Sequence, residues 1–220
     1  MIARELINDE VPPLKVTDTI DKALVWMDEF HVSHLPVIDG KQFIGMISDD
    51  ELFDIDDAEG TIGDAKPALI RPMLNPQQHA YDVLKIMAEL SLDVIAVTDE
   101  EGNFIGSITL SHLAEKLAKL AAVREPGGIL ILEVNNVDYS LSQIAQIVEG
   151  NDAKILSAYV AATPDSNKVD VTLKVNREDL SRIIQTFNRY NYVVKATFHH
   201  SSYEQDMQGR YDEFMNFINM

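Results

Sequence analysis

Histidines and carboxylates are the side chains of this 220-residue sequence that could perform metal or acid–base chemistry. His31 and His34 are three residues apart, but a predicted helix end lies between them, so the spacing secures no shared helical face. His199 and His200 are adjacent at a predicted strand end and would point to opposite faces of a sheet. Structural or surface roles are therefore favoured for both pairs, and we predict neither a catalytic residue nor a metal site.

Seven carboxylates between Asp49 and Glu59 raise the alternative of a magnesium site, because hard cations prefer oxygen ligands. The run lacks the fixed ligand spacing and the turning glycine of a metal loop, which favours a solvated helix face and linker. The sequence also contains no glycine-rich phosphate loop, nucleophile elbow or two-histidine helix motif. An enzyme that uses magnesium in phosphate chemistry is the least favoured of the functions considered.

Composition narrows the class of protein further. A formal net charge of -18 without a basic stripe argues against a nucleic-acid partner. The absence of cysteine excludes a disulfide framework and thiolate chemistry. No apolar run approaches the roughly 18 residues that span a membrane, and the acidic N-terminus does not resemble a signal peptide. We predict a soluble, cytoplasmic protein with no membrane partner.

The first half of the chain repeats itself. Shifts of 60 and then 61 residues align twelve identical positions, where chance would give about two or three. Each copy predicts the order strand, helix, strand, strand, helix, with the later strands at 35–38 and 43–47 and at 94–98 and 104–108. A unit of about 60 residues is too small to close a core alone, so the two copies are expected to pack together.

Five segments, three in the first copy and two in the second, carry a resemblance to a known family. The first copy contains Thr19 with Ala23 and Met27, then HLPVID and GMISDDEL, and the second contains VIAVTD and GSITLSHL. These segments resemble the CBS motif, and the resemblance extends from Leu6 to about Ala122. It implies a CBS pair at residues 1–123, with copy one at about 6–60 and copy two at about 61–123. In many family members such pairs bind adenine nucleotides or related ligands, and most of them regulate another activity and catalyse nothing.

The CBS resemblance also implies which residues face a ligand in the cleft between the copies. In that family a Ser or Thr and an Asp three residues later hold the sugar hydroxyls, whereas this chain has a Glu or a His at the second position. Ser48 with Glu51 also fits a capping box of its own helix, and both interpretations stay open. The implied positions are Asp18, Ser33, His34, Ser48, Glu51, Gln78, Asp93, Val94, Thr109 and His112.

Charge narrows the ligand that this cleft would accept. Asp93 would face phosphate groups with a like charge, which disfavours a polyphosphate such as ATP. AMP, a neutral or cationic adenosyl compound such as S-adenosylmethionine, or an empty cleft fits better. No cofactor is expected to be required.

A break at residues 124–128, which contain one proline and two glycines, predicts a linker between domains. Residues 129–200 then predict the order strand, helix, strand, strand, helix, strand, which is the ferredoxin-like, split βαβ pattern. Ser140 is expected to cap the first helix and Asn176 the second. The predicted fold class is mixed α/β (α+β), a CBS pair followed by a βαββαβ domain and a terminal amphipathic helix.

The C-terminal pattern resembles an ACT domain, and its union with a CBS pair is similar to acetoin-utilisation-type regulatory proteins. ACT domains that bind amino acids usually have Pro-Gly after the first strand, where this chain has residues 135–139 without glycine. The resemblance therefore favours edge-to-edge pairing of subunits over amino-acid binding.

In the tail, residues 201–220, an apolar helical face is predicted to dock on its own domain, with a partner protein as the alternative.

Two hypotheses follow for the whole chain. The first is a non-catalytic sensor, at least a homodimer, that binds an adenosyl ligand in the CBS cleft and transmits the signal through the ACT-like domain to an unknown regulated protein. The second is an unliganded scaffold that assembles subunits or holds a partner. The missing aspartates at the sugar positions favour the scaffold.

Overall fold

The structure is a computed structural model that describes residues 1–8, 10–164 and 166–198. The chain divides into two compact units, one spanning Met1–Leu117 and one that starts at Ala118. The predicted tail helix, together with His199 and His200, lies outside the described residues. Within the described residues, no helix is long and apolar enough to cross a membrane.

The first copy of the repeat begins after a short 3₁₀ turn at Ala3–Leu6. Thr19 caps its main helix by accepting the Lys22 N–H at 3.2 Å, and His31 ends that helix in the left-handed conformation. Ser48 caps the next short helix in the same way. The elements are β1 (Leu14–Lys15), α1 (Ile20–Phe30), β2 (His34–Asp39), β3 (Gln42–Ser48), α2 (Asp49–Phe53) and α3 (Ile62–Ala65).

The second copy has the elements α4 (Ala80–Glu89), β4 (Val94–Thr98), β5 (Phe104–Thr109) and α5 (Leu110–Leu120). Its predicted first strand is absent from the described residues, where a single bond from the Thr98 N–H to the Leu74 carbonyl takes its place. In copy one the Val16 N–H extends the pairing by donating to Ile38. The equivalent residue in copy two is Pro76, which has no N–H to donate.

The two copies share their interior, as the small size of each predicted. All five residues of β4 are buried. Val94 and Ala96 pack in the core of copy one, whereas Ile95 and Val97 pack in the core of copy two. Because successive side chains of a strand point to opposite faces, β4 lies between the two cores and neither copy closes a core without the other.

A second junction between the copies lies at their hairpin turns. The Phe43 N–H donates to the Gly102 carbonyl at 3.1 Å, and the Phe104 N–H donates to the Lys41 carbonyl at 2.8 Å. These residues are related by the repeat shift of 61, so the contact is formed twice by equivalent groups. The internal repeat therefore appears in the fold as an approximate two-fold arrangement.

The second unit contains β6 (Gly128–Asn135), α6 (Leu141–Glu149), β7 (Ile155–Ala162), β8 (Lys168–Val175), α7 (Ser181–Arg189) and β9 (Val193–Phe198). This is the predicted order strand, helix, strand, strand, helix, strand. All neighbouring strands are antiparallel, in the order β7-β8-β6-β9. The core contains alternate residues of β6 and β8 together with residues from both helices, among them Ile144, Val148 and Phe187. The helices thus cover one face of the sheet.

The predicted capping roles in this unit are half correct. Ser140 accepts the Gln143 N–H and begins α6 as expected. Asn176 does not cap the second helix, because its side-chain oxygen accepts the Lys154 N–H at 2.7 Å and ties the end of β8 to the chain before β7. The second helix starts later, at Ser181, whose N–H donates to Asp179.

Candidate functional site

Six of the ten predicted ligand-facing residues lie at the same end of the two central hairpins. His34, at the start of β2, is paired in register with Ser48, at the end of β3. Val94, at the start of β4, is paired with Thr109, at the end of β5. Ser33 and Asp93 immediately precede β2 and β4, respectively. The repeat therefore presents two equivalent half-sites, one from each copy.

Asp93 connects the two half-sites directly. Its carboxylate accepts the Ser33 N–H and lies 3.1 Å from Nδ1 of His34. Burial alone would raise the pKa of Asp93, but the bonds to His34 and to the Ser33 N–H outweigh burial and lower that pKa. Because Ser33 and Asp93 are equivalent in the repeat, this contact lies where the two copies meet.

The hydroxyls expected to hold a sugar are both used by the helices that follow them. Ser48 Oγ accepts the Glu51 N–H at 3.3 Å, and Thr109 Oγ1 accepts the His112 N–H at 3.2 Å. The capping interpretation of Ser48 is therefore confirmed at its backbone contact. A serine hydroxyl that accepts one N–H retains a second lone pair and its own proton.

Thr109 has further partners that sequence reasoning missed. Its hydroxyl donates to Oε2 of Glu10 at 3.2 Å and accepts from Nδ2 of Asn8 at 3.2 Å. Ser111 Oγ lies 3.0 Å from the same oxygen. The N-terminal segment thus belongs to the copy-two half-site, although about 100 residues separate it from Thr109 in the chain.

A cavity of about 280 Å³ adjoins this half-site. The apolar part of its lining includes Phe30 and Val32, from the end of α1 and the residues after it. Its polar lining includes Glu10, His31, Asp93, Thr109 and Ser111. Two of those side chains are carboxylates, and no lysine or arginine is among the residues that line it. The cavity therefore combines apolar contacts with hydroxyls and negative charge.

Asp18 and Gln78 form hydrogen bonds within the turns before α1 and α4, respectively. Asp18 accepts the Lys15 N–H at 2.8 Å and pairs with Lys22 Nζ at 2.7 Å. Burial would raise the pKa of Asp18, but these two partners lower it. Gln78 Oε1 accepts the Asn75 N–H at 2.7 Å. The hydrogen bonds of these two side chains organise local turns and do not join them to the Asp93 contact.

The second unit also has a polar cavity, of about 320 Å³, at the end of β6. The loop after β6 contains a 3₁₀ turn at Asn136–Asp138. The Tyr192 hydroxyl donates to Gln143 Oε1 at 2.8 Å across this cavity, and burial raises the pKa of Tyr192. Lys168 pairs with Glu133 in the same lining. The polar groups here largely satisfy one another.

Metal ligation has no candidate in the part of the chain that the structure describes, since no group of three or more His, Asp or Glu residues there is arranged to hold an ion.

Comparison with known proteins identifies the first unit. The family model of the CBS domain matches residues 3–57 and residues 69–119. The two matches follow the two copies of the repeat. Residues 3–119 contain a tandem pair of CBS domains.

One relative matches more than half of this chain. The chain is 25% identical over 131 residues to inosine-5'-monophosphate dehydrogenase of Korarchaeum cryptofilum, a match that covers 58% of this chain and 27% of that protein. The chain thus spans about a quarter of that relative's length.

Similar solved structures include a CBS domain pair/ACT domain protein of Thermotoga maritima, with a TM-score of 0.49 and 20% identity. That match covers 54% of this chain and 98% of the other. CBSX2 in complex with AMP has a TM-score of 0.46 and 20% identity, and the match covers 54% of this chain and 96% of that one. The CBS domains of a transcriptional regulator from Streptococcus pneumoniae have a TM-score of 0.46 and 18% identity, with coverage of 52% and 98%.

Proposed function

We propose that this chain is a non-catalytic regulatory protein whose CBS pair binds an adenosyl-type ligand, AMP-like or S-adenosylmethionine-like, in the cleft between the copies. One observation carries the proposal: Asp93 of one copy holds the Ser33 N–H and His34 of the other at the end of the hairpins where Ser48 and Thr109 lie. A ligand that enters beside this contact would meet both copies at once.

Ligand binding can act as a signal only if the ligand prefers one arrangement of the copies over another. The Asp93 contact supplies an element that a ligand could break or reinforce, because it is polar, lies between the copies and is only partly buried. α5 begins immediately after Thr109 and ends at Leu120, and the chain enters its second unit within this helix. We propose that α5 and the linker at 124–128 carry the signal to the second unit, which we propose to be an ACT-like domain.

Two features support the ACT-like assignment. The second unit has the βαββαβ order, and its strand order β7-β8-β6-β9 places the first and third strands at the centre of the sheet. The loop after β6 lacks glycine, so we do not propose amino-acid binding in that loop.

The test is thermal unfolding of the full chain, shown beforehand to be free of bound nucleotide, against adenosine, AMP, ATP and S-adenosylmethionine. A ligand at 100 times its dissociation constant stabilises the native state by about 2.7 kcal/mol. We expect stabilisation by at least one adenosyl compound and a weaker effect in the double variant Ser48→Ala, Thr109→Ala. Equal stabilisation of the variant would contradict the site, and no stabilisation by any compound would contradict the function.

A second candidate function is an assembly scaffold, and a specific observation favours self-association. β7 is an edge strand whose eight residues carry no charge, and its last five residues, 158–162, are exposed. An uncharged exposed edge is suited to pairing with another strand, since the outward N–H and C=O groups of β7 have no neighbouring strand among the described residues. We propose that a second copy of the chain pairs at this edge to form a homodimer.

Sedimentation velocity tests the dimer. Val160→Lys would set two lysines near each other across a two-fold strand pair, so we expect a shift toward monomer. Val193→Lys, at an exposed position of β9 at the other edge of the sheet, is the matched control. A dimer that survives Val160→Lys, or a wild-type chain that is monomeric at micromolar concentration, would contradict pairing at this edge.

A further inference from the structure

The segment before the first proline lies along β5 of the second copy. The Asn8 N–H donates to the Ser107 carbonyl at 3.0 Å, and Ser107 Oγ donates to the Val11 carbonyl at 2.7 Å. Ile7 lies against Gly106, where an added Cβ would be only 2.3 Å from its Cγ2. These contacts hold the chain at Asn8 and Val11, so the fold places the backbone of Glu10 beside β5.

The hydroxyl of Thr109 is fully engaged by this arrangement. A hydroxyl has one proton to donate and two lone pairs. Thr109 gives its proton to Glu10, while N–H groups of Asn8 and His112 and the hydroxyl of Ser111 all reach its oxygen. A ligand hydroxyl that bonds to Thr109 must therefore take over one of these places. Glu10 and Ser111 are the exposed side chains among these partners, and Glu10 is the one of the two that carries a charge.

The charge near Thr109 is negative and comes from two carboxylates, one in the N-terminal segment and one in copy two. Glu10 and Asp93 line the same cavity, in which the remaining titratable side chain is His31. The contact of Glu10 with Thr109 is to a neutral hydroxyl, which leaves the carboxylate charge uncompensated by that bond. A phosphate brought into this cavity would meet two like charges at short range.

Copy one shows that this charge is a feature of the N-terminal segment and not of the repeat. The connection between the copies pairs Ile70 with Met46 of β3, in the place where Asn8 pairs with Ser107 of β5. That connection continues into Arg71 and Pro72, whereas the residue two positions beyond Asn8 is Glu10. The equivalent segments therefore differ in the charge that they bring beside their strands.

We propose that Glu10 is a specificity-determining residue of the copy-two half-site, which admits neutral or cationic adenosyl ligands and rejects phosphorylated ones. This inference rests on the proposed function and narrows its ligand class. Adenosine and S-adenosylmethionine meet the carboxylates without a phosphate, whereas AMP meets them with one. A single like charge at roughly 6 Å in a partly solvated site changes affinity by about tenfold.

The experiment is isothermal titration of adenosine and AMP into the wild-type chain, Glu10→Gln and a control, Glu29→Gln. Glu29 is exposed on α1 and does not line the cavity, so the control removes the same charge elsewhere. We expect Glu10→Gln to strengthen AMP binding about tenfold while adenosine affinity changes less than threefold, and Glu29→Gln to change neither. Glu10→Lys should strengthen AMP binding further.

The outcomes separate the two proposals. If adenosine binds and Glu10→Gln leaves the ratio of AMP to adenosine affinity unchanged, the charge filter is wrong and the adenosyl site stands. If the wild-type chain and both Glu10 variants bind neither compound, and S-adenosylmethionine does not stabilise the chain in the thermal test, the proposed function itself is wrong. If AMP gains affinity equally in Glu29→Gln, the effect is one of net charge and the filter is again overturned.

Discussion

Replacing Asp93 with asparagine tests the contact that joins the two CBS copies. The variant keeps one acceptor for the Ser33 N–H but loses the charge that faces His34. Hydrogen bonds to charged groups contribute about 1.5–3 kcal/mol when well shielded. The Asp93 side chain is 32% exposed, so solvent reduces this value and we expect a loss of about 1 kcal/mol. For a domain of this size that corresponds to a fall in Tm of roughly 4 °C.

The loss should depend on pH with a definite sign. Because the pKa of Asp93 is lowered in the folded chain, its ionised form stabilises the fold above the ordinary aspartate pKa near 4. That contribution is lost as the pH falls through the lowered pKa. The difference in Tm between wild type and Asp93→Asn should therefore be full at pH 6 and shrink below about pH 4.

Thermal unfolding of the full chain, followed by circular dichroism from pH 3 to pH 7, measures this difference. Glu100→Gln removes the same charge from an exposed turn and serves as the control. His34→Ala should reproduce most of the Asp93→Asn effect. The double variant should add little, because either single change already removes the interaction between the two side chains. A pH-independent difference, or fully additive effects of the two changes, would contradict an ionic contact between Asp93 and His34.

Three further predictions concern single residues. Gly127→Ala should destabilise the second unit by about 2 kcal/mol or more in urea unfolding. Gly127 has φ of +143°, and an added Cβ would lie 1.9 Å from the Val175 carbonyl oxygen. An unchanged midpoint of urea unfolding would contradict this prediction. Asn176→Ala should cost about 1 kcal/mol by removing the acceptor for the Lys154 N–H, and a cost near zero would show that water replaces it. Gly106→Ala should displace Ile7 and release the N-terminal segment from β5. The expected readout is faster amide hydrogen exchange at residues 3–8. Unaltered exchange would contradict the packing of Ile7 against Gly106.

Periodicity and the repeat were sufficient to predict most of the elements. The helices α1 and α4, predicted from their apolar spacing, and the strands after them lie where the alignment of the two copies placed them. The alignment failed at the first strand of copy two because it treated position 76 as equivalent to position 16. Pro76 lacks the N–H that Val16 donates, and only the pairing partner reveals that this donor matters.

The parts of the site that escaped prediction depend on contacts between distant residues. The bond between Glu10 and Thr109 joins positions 99 residues apart, and no local pattern marks it. Asn176 has the residue type of a helix cap, but its side-chain oxygen accepts the backbone N–H of Lys154, which precedes β7. Comparison of the copies does contain a signal, since the segment before Pro12 is the counterpart of the connection before Pro72.

Photolabelling with 8-azidoadenosine tests most directly whether an adenosyl ligand binds between the CBS copies. After irradiation and tryptic digestion, we expect label in the peptides spanning 23–41 and 86–116, which contain Phe30 to His34 and Asp93 to His112. Unlabelled adenosine should compete, and Thr109→Ala should reduce labelling of the second peptide. Labelling confined to other peptides, or labelling that adenosine does not displace, would contradict binding of an adenosyl ligand between the copies.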